Sequence, residues 1–171
     1  MSANGRPLSH LLTPEVIDYL HHGLIMFLAT CDQQLRPEST LASGVRVVPG
    51  GTNLTVFVPR VLAATTLDNL RAHSHLALTM SRVTDDRSLQ IKGRYLGDRA
   101  GDDIDAAFLE PILIRRTEAM AAIGMPRSVA RRMAAIPTVA IDMEITQLYE
   151  QTPGPRAGRP LEAHWQPGDL P

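Results

Sequence analysis

His75-Leu-Ala-Leu-Thr-Met-Ser-Arg82 and Arg87-Ser-Leu-Gln-Ile-Lys-Gly-Arg94 stand on either side of Thr84-Asp85-Asp86. Leu76, Leu78 and Met80 share one parity in the first stretch, and Leu89, Ile91 and Gly93 share one in the second. Period two is the mark of half-buried strands, and the Thr-Asp-Asp between them supplies turn chemistry. Just upstream, residues 65–73 change period: Leu67 and Leu70 sit three apart, Thr65 or Thr66 offers a cap, and Asp68 falls in the first turn. That pattern predicts a helix. Before it, Leu54-Thr-Val-Phe-Val-Pro59 reads as a strand, reached through Pro49-Gly50-Gly51 from residues 38–48. There Leu41, Ser43, Val45 and Val47 share a parity, which predicts one strand with one buried face. Residues 24–31 are apolar, too short for a helix, and end at Asp32-Gln33-Gln34. These three strands form an antiparallel meander.

A further helix is predicted over residues 14–22, with Thr13 as N-cap, Pro14 at the first helical position and Gly23 as the stop. Residues 102–136 are helical, with breaks at Pro111 and at Gly124-Met125-Pro126 and apolar positions Ile104, Phe108, Ile112, Ala119 and Met133. Val139, Ile141, Met143 and Ile145 place a last strand over residues 138–149. The tail from Gln151 is rich in proline and glycine and is expected to be extended or irregular. Six strands, five of them before the long helical stretch, give an α+β domain: a six-stranded antiparallel split β-barrel of Greek-key type with peripheral helices. One domain is expected over residues 1–171, with a core of about 14–150.

Composition narrows the function. Of 171 residues, 44% are hydrophobic and 20% charged, so the chain folds rather than staying disordered. Seventeen basic against eighteen acidic residues give a net charge of −1, which excludes a global basic field for nucleic acid. No apolar run approaches the about 20 residues of a membrane span, and residues 1–10 lack the apolar core of a secretory signal. A soluble, cytoplasmic protein is expected. Cys31 is the one cysteine, which excludes an internal disulfide and a cysteine-based zinc site. Sixteen arginines stand against the single Lys92, and genomic codon bias accounts for that as readily as anion recognition.

No metal site is predicted. His21 and His22 point in different directions from a helix, and His73 and His75 lack a carboxylate at ligand spacing, so solvated histidines are expected. There is no Gly-x-Ser-x-Gly, Cys31 ends an apolar strand as an inert thiol, and neither glycine-rich phosphate motif occurs. Arg115, Arg116, Arg127, Arg131 and Arg132 make a basic helical stripe without interleaved aromatics, which a solvated face explains. Two constellations remain. Arg46, Arg60, Thr65 and Thr66 gather guanidinium groups near a helix start, which suits an anion but equally an ordinary cap with solvated arginines. Ser88, Gln90 and Lys92 share one strand face, which is either solvated or meets a ligand beneath a partner subunit.

The blocks Leu54–Pro59, Thr66-Leu-Asp-Asn-Leu-Arg-Ala72, His75–Arg82 and Arg87–Arg94 together resemble the pyridoxamine 5′-phosphate oxidase-like family, the FMN-binding split barrel. The last strand and Gln151-Thr-Pro-Gly-Pro-Arg-Ala-Gly158 are similar to members of it too. This resemblance implies a homodimer with two FMN sites at the subunit interface and an FMN-dependent oxidoreductase acting on a small molecule. It implies phosphate contacts at Arg46 or Arg60 and at Thr65 and Thr66, where the family's Ser-Arg-Lys word becomes Ala64, Thr65 and Thr66. It implies flavin contacts at Ser88, in place of a glutamine, and at Gln90. Tyr149 stands for a tryptophan of the substrate site, and Arg156 is a loose counterpart of the arginine that meets substrate phosphate. Two alternatives on the same fold are a non-catalytic or haem (tetrapyrrole)-binding protein, with His164 as axial candidate, and a deazaflavin (F420)-dependent reductase.

Overall fold

A computed structural model describes residues 12–48, 51–133 and 137–161. Its strands are β1 (Ile25–Cys31), β2 (Pro37–Ala42), β3 (Gly44–Val47), β4 (Asn53–Pro59), β5 (His75–Ser81), β6 (Ser88–Ala100) and β7 (Thr138–Glu150). Its helices are α1 (Pro14–Leu20), α2 (Ala63–Ala72), α3 (Asp103–Ala122) and α4 (Arg127–Arg132). All pairings are antiparallel, in the order β2-β1-β5-β6-β7-β4-β3.

The two ends of that order belong to one stretch of chain. β2 pairs with β1 at one edge and β3 with β4 at the other, and between them the Ser43 amide donates to the Phe57 carbonyl at 2.6 Å. The sheet therefore curls until its edges share a bent strand, and the split barrel has seven strands rather than six. The bend also corrects the predicted parity. Thr40 and Ala42 face inward in β2, whereas Val45 faces inward in β3, so Leu41 lies on the opposite face from Val45. A strand leaving one neighbour for another must turn, and the turn flips its faces.

Met26, Leu28, Val45, Leu54, Val56, Leu78, Met80, Ile91, Ile141 and Met143 fill the interior. α1 adds Val16, Tyr19 and Leu20 to this core, and α2 adds Ala63 and Leu70. Thr13 caps α1 through the Val16 amide, and Gly23 follows at φ +73°, a conformation costly for any residue with a Cβ. Residues 60–62 form a 3₁₀ turn ahead of α2, so that helix begins at Ala63 rather than at the threonines.

α3 lies outside the barrel, where Leu109 and Leu113 pack on Phe57 and Ala140. It runs unbroken through Pro111. Pro111 and Ala107, whose carbonyl loses its partner, both sit on the exposed side, where water replaces the bond. Its buried stripe is Asp105, Leu109, Ile112, Leu113, Arg116, Thr117 and Met120, while Ile104 is exposed. The tail turns back. Gly158 donates to the Glu150 carbonyl, Leu161 to Leu148, and Tyr149 bridges Pro160 along the part of β7 that β4 leaves unpaired. No described helix is long and apolar enough to cross a membrane.

Candidate functional site

The outside of the barrel is unequally covered. α3 buries the outer faces of β3, β4 and the start of β7, whereas the outer face of β1, β5 and β6 stays open. Strand register sets its side chains in rows. One row runs Leu41, Phe27, Thr79, Gln90, Tyr149; the next runs Ser39, Ala29, Ala77, Lys92, Gln147. Phe27 is 46% exposed. The Gln90 amide donates to Thr79 Oγ1 at 3.0 Å, Tyr149 donates to Gln147 Oε1 at 3.0 Å, and Lys92 Nζ sits 4.9 Å from the Tyr149 ring centre. The second row forms part of an open groove of about 450 Å³, lined by Cys31, His75, Ala77, Lys92, Arg94 and Gln147, among others. The face thus combines an apolar band, hydrogen-bonding groups and positive charge.

Under α3 the chemistry is already balanced. Asp105 is 1% exposed and accepts from Arg99 at 2.5 Å and from Arg46 at 2.8 Å. Arg99 first, then the Asp102 amide and Arg46, hold its carboxyl down at about 2 against the opposing effect of burial. The Arg46 guanidinium also stacks on Phe108 and Phe57, 4.3 Å and 5.2 Å from their ring centres.

The chain matches no protein-family model, and no curated protein matches it in sequence. Solved structures do share its architecture. HupZ of Group A Streptococcus is 10% identical with a TM-score of 0.53, covering 86% of this chain and 100% of its own. An FMN-binding protein of Syntrophomonas wolfei is 10% identical with a TM-score of 0.51, covering 82% of this chain and 85% of its own. A candidate pyridoxamine 5′-phosphate oxidase of Lactobacillus delbrueckii is 15% identical with a TM-score of 0.50, covering 82% and 94%. The chain has the pyridoxamine 5′-phosphate oxidase-like split-barrel fold.

Within this split barrel Arg46, of the first predicted constellation, is engaged under α3, its charge met by Asp105, because its strand faces the helix that brings that carboxylate. Arg60 is exposed in the 3₁₀ turn and Thr65 is exposed on α2, but Thr66 is wholly buried on the inner side of the same helix. Neither threonine caps α2. The second constellation is brought together: Ser88, Gln90 and Lys92 all lie along the outer face of β6. Ser88 is satisfied within the fold, its hydroxyl donating to the Asp86 carbonyl at 2.8 Å and lying 2.7 Å from Ser81 Oγ. Arg156 sits 3.6 Å from the buried Glu150 carboxylate, so the structure gives it a partner inside the tail.

His22 and His75 are exposed as expected, but His21 and His73 are not. His21 packs edge-on to Phe108 at 5.3 Å between centroids, and burial pushes its pKa below the usual imidazole range. His73 has a buried Nε2 as well. His10 and His164 lie outside the described residues. Among the described residues no three His, Cys, Asp or Glu side chains gather as for a metal. The sequence reading missed the β1 part of the open face, although the parity of Phe27, Ala29 and Cys31 against Met26, Leu28 and Thr30 carried the signal. It missed Asp105 because nothing local marks a helix-capping aspartate as a partner for a strand arginine.

Proposed function

We propose that this split barrel is an FMN-dependent oxidoreductase acting on a small molecule as a homodimer, its flavin lying on the open outer face of β1, β5 and β6 and a second copy closing over it. The open face carries this reading. Phe27, 46% exposed, neighbours the small Ala29 and Ala77 and heads a row that continues through Thr79 and Gln90 to Tyr149, a surface suited to a flat conjugated ring. An exposed aromatic set among small and hydrogen-bonding side chains on an open strand face suits a surface that something covers.

FMN, when bound, supplies the redox chemistry. The chain's part is to place the ring and keep water from it. Thr79 holds the Gln90 amide in advance of a ligand, so little side-chain freedom is lost on binding. Ser88 shapes the strand start rather than reaching outward. The fold shared with an FMN-binding protein supports the same reading. Its residues fit the ring better than the phosphate, since the position implied for phosphate at Arg46 is already neutralised.

Titration with FMN, followed by flavin fluorescence, tests this against Phe27→Glu. The wild type is expected to bind FMN. Phe27→Glu is expected to lose about tenfold or more of that affinity and to dissociate into monomers. A wild type that binds no flavin overturns the proposal.

A further inference from the structure

We infer that the groove over β1, β5, β6 and β7 is a phosphate-binding site, built from His75, Lys92 and Arg94. It deepens the flavin reading where the phosphate is the cofactor's own, and stands apart from it where the phosphate belongs to a second reactant. His75 and Arg94 are register partners on the outer face, and Lys92 is two residues from Arg94 on that same face. Basic groups on facing and neighbouring strand positions repel one another, a cost that a bound dianion removes.

The charge here has no carboxylate partner among the described residues, unlike much of the rest; Lys92 meets the Tyr149 ring alone. Arg46 and Arg99 serve Asp105, Arg82 serves Asp85, Arg127 serves Glu118 and Arg156 serves Glu150. Among the described residues, none of His75, Lys92 and Arg94 takes part in an ion pair within 4.0 Å. Glu144 is the register partner of Arg94 on β7, yet it too is outside any such pair.

The backbone builds the groove's shape. Lys92 pairs with Gln147 but Gly93 with Ile145, so Thr146 is an extra residue, and its hydroxyl donates to the Lys92 carbonyl at 3.1 Å. A Cβ on Gly93 would lie 2.2 Å from the Glu144 carbonyl oxygen, so only glycine lets the strands close at this bulge. Bulges aim neighbouring side chains, here Lys92 and Arg94 into one space of about 450 Å³, a small-molecule size. Arginine meets two phosphate oxygens at once, lysine adds a point charge, and the His75 imidazole adds a donor.

The test compares wild type with Lys92→Gln/Arg94→Gln, both exposed positions, and with Arg131→Ala/Arg132→Ala as a charge control. Thermal melting confirms that each variant folds. FMN, riboflavin and inorganic pyrophosphate are the probes. If the phosphate is the cofactor's, wild type prefers FMN to riboflavin, the groove variant loses that preference by about ten- to a hundredfold, and pyrophosphate displaces FMN but not riboflavin. If it belongs to a second reactant, pyrophosphate binds beside FMN and the groove variant loses pyrophosphate alone. The control keeps wild-type behaviour in both cases. Pyrophosphate binding that disappears in the groove variant of a protein that takes up no flavin supports the groove and overturns the flavin reading. Unchanged FMN preference together with unchanged or absent pyrophosphate binding overturns the groove.

Discussion

Asp105 shows how a single side chain decides which arginines are free. Arg99 and Arg46 hold its folded pKa at about 2, below the 3.8 of an unperturbed carboxyl. A lowered folded pKa contributes stability that is complete above the unfolded value and lost as pH falls toward the folded one. Part of the protein's acid sensitivity is therefore expected between about pH 4 and 2. Asp105→Asn is expected to abolish that part and to cost about 2–3 kcal/mol at neutral pH, read by denaturant melts across pH. An unchanged acid profile would show that the cluster contributes nothing. Arg46→Ala follows from the same geometry. It is expected to lower the melting temperature while leaving the FMN-to-riboflavin preference of the folded protein intact, because Arg46 answers to Asp105 rather than to a phosphate. A selective loss of FMN affinity would return Arg46 to the binding site.

At the scale of elements, α4 has six residues, too few to hold together without help. Its anchor is Arg116 of α3, 1% exposed, which donates to the Met133 carbonyl at 2.9 Å and to the Ala42 carbonyl at 3.0 Å. Burial lowers this guanidinium to about 10. Lysine cannot reach two carbonyls in that fork. Arg116→Lys is expected to cost about 1.5–3 kcal/mol and to speed amide exchange in α4 before the barrel strands; uniform change across the chain would contradict the anchor. Gly93→Ala is expected to destabilise by about 2–3 kcal/mol, because the bulge has no room for its methyl. The elements differ in how legible they were. α1, β5, β6 and the antiparallel barrel followed from caps and parity, because local periodicity determines them. The break at Ser43 did not, because barrel closure imposes it from two strands distant in sequence. Pro111 read as a break, since no local pattern says that its side of α3 faces water. The Ser88–Gln90–Lys92 row was legible from period two. The match of Arg46 to Asp105 was not, because it joins residues 59 apart.

For the whole molecule, covering is the organising fact. Helices and tail bury the interior and the β3–β4 face, while the β1–β5–β6 face keeps Phe27 at 46% exposure. Closing two such faces against each other is expected to bury on the order of 2,000 Å² in total, as stable dimers do. Arg131 and Arg132 lie on α4, outside that face, and charge reversal there is expected to change neither assembly nor flavin affinity; a large loss of either, with the fold intact, would move the site. The measurement that bears most directly on the central claim is native mass spectrometry of the full chain with excess FMN. A species of two 18.7 kDa chains carrying two FMN molecules is the predicted result. A monomer free of flavin under the same conditions would contradict it.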